Sequence, residues 1–420
     1  MKNRVTAIQI ILLILISFFG GYFFGVNKIQ LDWKNYKPQI SVTGKEPPAG
    51  VTNIDFSPFW IVWQKVESGY YDKTKIDPQK MLNGAIAGAL QSLNDPFTVY
   101  LPPVQNTNFK QGLAGQFSGI GAELGVKGKD VIVIAPLEGS PAEKTGVKAG
   151  DVIVKVDGVS TVGWNISQVV EKIRGPKGTD VKVSVIHKDS SSVIDIKITR
   201  DVITVKSVTG WIKKVGDVEN VNLPKDKKDL KVVYIRLSQF GDSTNKDWTA
   251  LIDKLSGQIK SDKNVEGAIL DLRNNPGGYL TDAVFIASEF LNQGTSVVSE
   301  ESFMDKKTLY AVRTGELVGV PLVILINRGS ASASEIVSGA LRDDKKVLLI
   351  GETSFGKGTV QQAEDLGSGS GLHVTVAKWL TPNGIWINGK GLKPDIEVKL
   401  DAKNPTHDTQ LEKAIQELIK

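Results

Sequence analysis

The stretch PLVILINRGSASASEIVSGAL, residues 321 to 341, joins a short apolar run to a segment in which apolar residues recur at helical spacing. Such a run, ended by turn-forming residues, is typical of a strand buried on both faces of a sheet. The same alternation of apolar strands and amphipathic helices extends over residues 230 to 351. The pattern predicts βαβ units on a largely parallel sheet.

Three of these predicted strands run into loops rich in glycine and small polar residues. The loops are RNNPGG (273–278), NRGSASASE (327–335) and GETSFGKGT (351–359). Neighbouring parallel strands end at the same edge of a sheet, and functional residues collect at that edge. We therefore expect the three loops to form one site.

Two interpretations of GETSFGKGT start from motifs with known chemistry. Its G-x-x-x-x-G-K spacing matches the start of a phosphate-binding P-loop, but Gly358 stands where that loop needs the hydroxyl that holds Mg²⁺. Ser354 and Lys357 have the S-x-x-K spacing of an acylating pair, which requires a helix, whereas glycines flank the lysine. The residues leave both interpretations open, but each lacks a feature that its chemistry requires.

A third interpretation places a nucleophile at Ser332, between the buried strand and the helix of the first stretch. The amide of Ala333 would lie at the helix N-terminus, where it has no acceptor within the helix and can stabilise an oxyanion. A second donor could come from the backbone of Gly277 or Gly278. The alternative is that these serines are only small residues, with Ser334 as the helix cap.

A serine nucleophile needs a base, and the histidines do not suggest one. The three histidines, His187, His373 and His407, lie apart from any Ser or Asp pattern and are expected at the surface or within strands. A lysine can act as the base if burial lowers its pKa from about 10.4 toward 7. Lys357 is the candidate, with Gln361 four residues later to orient its amine, and the alternative is an ordinary solvated loop lysine.

The composition is that of a globular protein with two or three domains. The chain has 420 residues, of which 41% are hydrophobic and 23% charged, and its formal net charge is +5. Basic and acidic residues are mixed along the chain, which does not indicate a nucleic-acid partner. The absence of cysteine excludes disulfides, thiolate metal sites and a cysteine nucleophile.

The N-terminal region predicts a membrane anchor. Residues 7 to 26 carry no charge, and about 20 helical residues cross the hydrocarbon layer of a membrane. A cleaved signal peptide is the alternative, but no A-x-A-like site follows the run. We expect a transmembrane signal anchor over residues 1–27, a polar linker over 28–54 and a catalytic part outside the cytoplasm.

The middle of the chain divides into a helical segment and a β-rich module. Residues 55–104 predict two helices with an aromatic stripe, which either packs into a core or forms a dimer contact. From residue 115 to 200, short β-branched runs surround one helix. This pattern predicts a compact and mostly antiparallel module.

Several blocks of the chain resemble the carboxy-terminal processing proteases, also called tail-specific proteases. The blocks include GSASASEIVSGAL, GETSFGKGTVQQ and DLRNNPGG, and the similarity covers about residue 55 to the end of the chain. The resemblance implies a multidomain α/β protein with a ClpP/crotonase-like serine protease core over residues 203–400. A C-terminal helix would follow over residues 401–420.

The resemblance also implies the activity, a serine endopeptidase that cuts protein tails through an acyl-enzyme. Ser332 would be the nucleophile, Lys357 the base and Gln361 the residue that holds the lysine, and no metal or organic cofactor would be needed. The alternative is an inactive PDZ adaptor that binds protein C-termini without cutting them.

The β-rich module resembles the PDZ domain of these proteases, over residues 105–202. A carboxylate-binding loop and one face of the helix would bind the peptide, through Gly119, Ile120, Gly121, Ala122, Val169, Val170, Ile173 and Arg174. Glycines let successive backbone amides converge on a carboxylate, although the aliphatic helix residues could equally belong to the core. The expected partners are proteins with apolar C-termini and a second copy of this chain.

Overall fold

The computed structural model describes residues 54–127, 130–137, 139–164, 166–187, 190–219, 221–223, 225–400 and 407–420, together with residues 12, 15, 17–19, 29–34 and 37–42. Two compact units divide the chain, residues 1–81 and residues 82–420. All residues predicted for catalysis and peptide binding lie in the second unit.

The first unit contains a hairpin and a helix. Strands β1 (Ile29–Lys34) and β2 (Lys37–Val42) pair antiparallel inside the segment predicted as a linker. Helix α1 (Ser57–Gly69) follows, with proline in its first turn and the Ser57 amide donating to the Asp55 carboxylate at 2.8 Å. A linker was expected there because the residues are polar, but polarity does not prevent strands from pairing.

The predicted transmembrane anchor requires correction. Of residues 1–27, the structure describes only 12, 15 and 17–19, and the rest of that prediction lies outside the described residues. Among all described residues, no helix has both the length and the apolar character needed to cross a membrane. The prediction relied on the charge pattern alone, and the absence of charge does not by itself specify a membrane span. The described residues form a mixed α/β fold, and the predicted anchor is not part of that description.

The β-rich module has the antiparallel structure that the sequence predicts. In chain order, its elements and those before it are α2 (Pro78–Gln91), β3 (Val99–Leu101), α3 (Pro103–Leu113), β4 (Gln116–Gly119), β5 (Ala122–Lys127), β6 (Asp130–Pro136), α4 (Pro141–Lys144), β7 (Val152–Val156), β8 (Val159–Ser160), α5 (Ile166–Ile173), β9 (Asp180–Ile186), β10 (Val193–Thr199) and β11 (Asp201–Thr204). The main sheet has the order β10-β9-β7-β6-β5, so β5 is an edge strand. Separately, β4 pairs with β11.

The remaining chain forms the α/β core, and the predicted parallel sheet is confirmed. Its elements are β12 (Val208–Lys214), β13 (Lys231–Leu237), α6 (Thr244–Ser261), β14 (Val265–Asp271), α7 (Leu280–Ser288), β15 (Ser296–Ser302), β16 (Lys306–Tyr310), β17 (Leu322–Ile326), α8 (Ala333–Lys345), β18 (Leu348–Gly351), β19 (Thr359–Gly367), β20 (Ser370–Leu380), β21 (Ile396–Glu397) and α9 (Thr409–Leu418). The sheet order is β12-β13-β14-β17-β18-β21, and every pair from β13 onward is parallel. The ends of β14, β17 and β18 therefore meet at one edge.

A second, antiparallel sheet stands beside this edge. Its order is β16-β15-β20-β19, with β3 also paired to β20. Strand β19 begins at Thr359, directly after the loop that carries Lys357. Strand β3 pairs with the other edge of β20. Residues that precede the PDZ-like module in the sequence therefore lie near that loop.

A buried ion cluster fixes the loop after β14. Asp271 is fully buried and accepts hydrogen bonds from the Arg273 guanidinium at 2.6 Å and the Tyr234 hydroxyl at 2.7 Å. Arg236 lies 2.8 Å from the same carboxylate, and Arg273 also binds Asp408 at 2.8 Å. Burial raises the pKa of Asp271, but the Arg273 hydrogen bond and the two arginine charges hold it below its usual value.

We expect Asp271→Asn to lower the free energy of unfolding by about 3–5 kcal/mol at neutral pH, because it leaves two arginines without their buried counter-charge. The wild-type contribution is present above the unfolded pKa of about 3.9 and is lost as the pH falls through the lower folded value. Urea unfolding at neutral pH and at about pH 3 measures the difference, which should shrink in acid. Asp229→Asn, which breaks an exposed ion pair with Lys214, is the control. Equal midpoints for Asp271→Asn and wild type at neutral pH would contradict the prediction.

Candidate active site

The three strand-end loops surround one cavity of about 420 Å³. Its lining includes Gly277, Gly278, Ser332, Ala333, Lys357 and Gln361. The predicted nucleophile, base, lysine partner and oxyanion donors thus lie together. They meet because β14, β17 and β18 are parallel neighbours, and because β19 continues from the third loop.

Ser332 lies on a strained turn between β17 and α8. Its φ of 53° and ψ of −112° are a backbone conformation that residues other than glycine rarely adopt. It occupies the N-cap position of α8. The alternative cap is wrong, because the Ser334 hydroxyl donates to the Asn275 carbonyl at 2.9 Å and is fully buried. Strain of this kind is a feature of functional turns.

Glu335 holds the serine turn and the lysine loop together. Its carboxylate is fully buried and accepts from the amides of Ser332 at 2.8 Å and Lys357 at 2.9 Å. The Ser354 hydroxyl and the Gly356 amide each donate to its other oxygen at 2.6 Å. Burial raises the pKa of Glu335, and these hydrogen bonds offset part of the shift. No role was predicted for Glu335, although its S-x-x-E spacing after Ser332 is the signal of a capping box.

The contacts of Ser354 exclude the S-x-x-K interpretation. The Ser354 side chain is buried, donates its only hydroxyl proton to Glu335 and accepts from the Leu392 amide at 2.6 Å, so this proton is not available to Lys357. Residues 352–358 are not helical, so the spacing does not bring its hydroxyl onto a common helix face with Lys357. The P-loop interpretation fails as well, because the loop continues into strand β19 where a phosphate-binding loop needs a helix.

Lys357 is a partly buried lysine and differs from the solvated alternative. Burial lowers its pKa, and the charges of Asp95 and Glu335 offset part of this shift. Its Nζ lies 5.0 Å from the centre of the Phe97 ring. Within the described part of the chain, no carboxylate forms an ion pair with this amine. The environment therefore favours the neutral amine that a general base requires.

Gln361 does not bind the lysine in this structure. Its Nε2 donates to the hydroxyls of Thr359 at 2.9 Å and Thr375 at 3.1 Å. Among described residues its Oε1 has no hydrogen-bond partner, so this carbonyl oxygen is available to accept a hydrogen bond. The expected hydrogen bond to Lys357 is absent here, but the amide lines the same cavity with its acceptor free.

The two glycines differ in their capacity to bind an oxyanion. The Gly277 amide donates to Asn275 Oδ1 at 2.9 Å, so it is not available, and that part of the prediction is corrected. In the part of the chain that the structure describes, the amides of Gly278 and Ala333 donate to no acceptor. A Cβ on Gly277 would lie 2.9 Å from Ser332 Cβ, which explains why only glycine lets the loop approach the serine so closely.

His373 also lines the cavity, which the sequence did not predict. Its ring meets the edge of Phe109 with centroids 4.4 Å apart. Burial and the nearby charge of Lys357 lower the pKa of His373. A histidine with a lowered pKa and several apolar side chains therefore line the cavity together with the serine turn.

The PDZ-like residues divide into a loop with free amides and a buried helix face. Gly119–Ala122 join β4 to β5, and within the described chain the amides of Ile120 and Gly121 make no hydrogen bond. The predicted side-chain pocket needs correction, because Val169 and Ile173 are buried in the core and only Val170 is partly exposed. Arg174 is exposed, with its guanidinium 5.3 Å from the centre of the Phe117 ring in β4.

Comparisons with protein-family models agree with this division of the chain. Residues 231–398 match peptidase family S41, residues 132–186 match a PDZ domain, and residues 19–103 match the activating protease CtpB N-terminal domain. The fold and these matches define a serine-type peptidase that carries a PDZ domain.

Individual relatives narrow the class. The carboxy-terminal processing protease CtpA of Bacillus subtilis is 38% identical over 338 residues, which is 80% of this chain and 68% of the relative. CtpB of the same organism is 34% identical over 90% of this chain and 75% of its own length. The solved structure of a photosystem II D1 C-terminal processing protease aligns with a TM-score of 0.51 at 33% identity, covering 83% of this chain and 95% of that one. This chain belongs to the family of carboxy-terminal processing proteases.

Proposed function

We propose that this protein is an endopeptidase that binds a substrate C-terminus in its PDZ domain and cuts the chain by a Ser332–Lys357 mechanism. The observation that carries the proposal is that a serine on a strained turn and a lysine with a lowered pKa line one cavity. Two free amides, Ala333 and Gly278, lie in the same lining. A nucleophile, a base and an anion site are the parts that acyl transfer needs.

Each part has a defined role in the proposed reaction. Neutral Lys357 accepts the Ser332 proton as the hydroxyl oxygen attacks the peptide carbonyl, and the amides of Ala333 and Gly278 stabilise the oxyanion. The protonated lysine then gives its proton to the leaving amine, which leaves an acyl-enzyme on Ser332. Lys357 next activates the water that hydrolyses this ester. Gln361 offers its free carbonyl oxygen to orient the lysine amine.

The PDZ domain supplies substrate binding in this proposal. Edge strand β5 has an unpaired side to which an extended peptide can add as a further strand. The free amides of Ile120 and Gly121 lie at its start, where they suit a terminal carboxylate. Partly exposed Val170 favours an apolar residue at the end of the substrate.

A PDZ adaptor without activity is the alternative. It would need no lowered lysine pKa and no strained serine, and both are present. The experiment incubates the full chain with an unstructured protein ending in apolar residues and measures the product masses. Cleavage that weakens when the substrate terminus is amidated supports the proposal, since amidation removes the carboxylate. Tail binding without cleavage would favour the adaptor.

A homodimer and a location outside the cytoplasm also stay part of the proposal. Helix α1 exposes three apolar side chains, Trp60, Ile61 and Val62, which a second copy could cover. Sedimentation of the full chain tests the homodimer, and a monomer at micromolar concentration would contradict it.

A further inference from the structure

A buried carboxyl group follows the loop of Gly277 and Gly278, and the mechanism above does not use it. Asp282 belongs to the first turn of α7, and its side chain is only 5% exposed. The Asn245 side chain, in the first turn of α6, donates from Nδ2 to Asp282 Oδ1 at 3.0 Å. Among the described residues, no lysine or arginine contributes a charge to this carboxyl group. Asp282 is therefore buried without a counter-charge.

Two oxygen atoms of this carboxyl–amide pair have no hydrogen-bond donor. Asp282 Oδ2 and Asn245 Oδ1 are both buried, and within the described part of the chain neither has a hydrogen-bond partner. Buried polar atoms are nearly always hydrogen-bonded, so two such acceptors on groups that already share one hydrogen bond require an explanation. A proton on Asp282 supplies one. A protonated carboxyl group can donate from Oδ2 to Asn245 Oδ1 while its Oδ1 continues to accept from Nδ2.

The surroundings of Asp282 favour the protonated form. Burial raises its pKa to about 6, the Asn245 hydrogen bond offsets part of this shift, and the charge of Asp242 raises the pKa further. Asp242 accepts from the Tyr279 hydroxyl at 2.9 Å. Burial and this contact raise the pKa of Tyr279 to about 12, so the phenol is neutral at physiological pH. The titratable groups that face Asp282 among the described residues therefore bring no positive charge that would stabilise a carboxylate.

The carboxyl–amide pair connects the segment that carries the Gly278 amide to the segment in front of α6. Two backbone hydrogen bonds make the same connection, from the Phe240 amide to the Gly277 carbonyl at 2.9 Å and from the Tyr279 amide to the Phe240 carbonyl at 3.2 Å. A Cβ on Gly278 would lie 1.6 Å from the Phe240 carbonyl oxygen, so the two segments are in close contact. The position of the Gly278 amide therefore depends on how these segments are held together.

We propose that Asp282 is kept as a neutral carboxylic acid that shares two hydrogen bonds with Asn245, and that this pair positions the Gly278 amide for the oxyanion. The positioning role rests on the proposed Ser–Lys function, whereas the acid–amide pair itself does not. When Asp282 ionises, the proton of the second hydrogen bond is lost and a charge is left buried. The pair then weakens, and the Gly278 amide is held less firmly.

The raised pKa sets the sign of the pH effect on stability. The folded chain favours the protonated acid, so the cost of ionising Asp282 appears as the pH rises above the unfolded pKa of about 3.9 and is complete above the folded value of about 6. Asp282→Asn has a permanent NH₂ donor in place of the acidic O–H and no charge to bury. Two amides can share two hydrogen bonds in the same way, so this variant should not lose stability over that pH range.

Urea unfolding of the full chain at about pH 4 and about pH 8 tests the acid–amide pair. For Asp282→Asn we expect an unfolding equilibrium constant within about 3-fold of wild type at the lower pH and about 10- to 100-fold smaller than wild type at the higher pH. Asp253→Asn, at an exposed position of α6, is the control and should follow wild type at both pH values. An Asp282→Asn variant less stable than wild type at pH 8 would overturn the proposal, because the carboxylate would then be required, as it is when it binds a cation.

Steady-state kinetics on an unstructured protein substrate tests the positioning role. Asn245→Asp removes the NH₂ donor and adds a second carboxyl group, so kcat should fall by about 10-fold while KM stays nearly unchanged. Combining Asn245→Asp with Asp282→Asn places the acid on α6 and the amide on α7, and this exchanged pair should recover most of the loss. Asp282→Asn alone should keep at least the wild-type kcat, with the largest ratio to wild type at alkaline pH.

Two kinetic outcomes contradict the positioning role. One is an Asn245→Asp variant that is less stable but has the wild-type kcat when folded, since the pair would then be structural only. The other is an exchanged pair as slow as Asn245→Asp alone. A wild-type chain that cuts no substrate contradicts the proposed function and the positioning role together, whereas the unfolding experiment still tests the acid–amide pair. The two failures are therefore distinguishable.

Discussion

Replacing Ser332 by alanine is expected to lower kcat/KM by about 10⁴- to 10⁶-fold while the protein stays folded. The alanine keeps the helix start and removes only the oxygen that forms the acyl-enzyme. Lys357→Met removes the base with similar side-chain volume and should cost a comparable factor. Because the two residues act as one unit, the double variant should be no slower than the slower single variant.

Steady-state kinetics on an unstructured protein substrate measures these losses. Ser338→Ala is the matched control, since this serine is buried in the same helix and its hydroxyl only bonds back to the Ser334 carbonyl at 2.8 Å. It should keep nearly full activity. A Ser332→Ala variant within about 10-fold of wild type would place the nucleophile elsewhere, and losses that multiply in the double variant would show that the two residues act independently.

Glu335→Gln is expected to reduce kcat by about 10²-fold and to destabilise the protein by about 1–3 kcal/mol. The carboxylate accepts four hydrogen bonds, two of them from the backbone amides of Ser332 and Lys357. A glutamine must turn its NH₂ group either toward the amides of Ser332 and Lys357 or toward the Ser354 hydroxyl and the Gly356 amide, so at least one backbone amide loses its acceptor. The loss should fall on kcat more than on KM, because the change displaces the reacting groups and leaves the PDZ domain intact.

A second buried carboxylate separates activity from stability in this test. Glu289 accepts from the Trp248 indole at 3.0 Å and the Arg313 guanidinium at 2.8 Å, and it does not line the cavity. Glu289→Gln should lower stability to a similar or larger extent while the specific activity of the folded protein stays unchanged. If Glu335→Gln loses stability but no activity, as Glu289→Gln should, then its role is structural only.

Much of the core and the site could be predicted from local patterns. Apolar runs that alternate with segments of helical spacing are the pattern of a parallel sheet covered by helices on both faces. Neighbouring parallel strands end at the same edge, so the three glycine-rich loops that follow them meet there. Ser332 and Lys357 could be selected because each follows a buried strand. The membrane anchor was predicted from an uncharged run alone, whereas among the described residues no helix has the length and apolar character of a membrane span.

The same local patterns could not predict the hydrogen-bond partners. Positions 277 and 278 are both glycine, so the sequence does not distinguish them. In the structure the Gly277 amide donates to Asn275, whereas the Gly278 amide has no acceptor among the described residues. Val169 and Ile173 have the spacing of a groove face, but both side chains are buried in the core where α5 packs on the sheet of the module.

By itself the sequence determined the βαβ core, the antiparallel module and the candidate serine and lysine, because periodicity and strand ends are local properties. Only the tertiary structure decided which amides are free and that Glu335 joins two loops. Those features depend on contacts between residues far apart in the chain, and a hydrogen bond needs a partner at the correct distance, which no local pattern specifies.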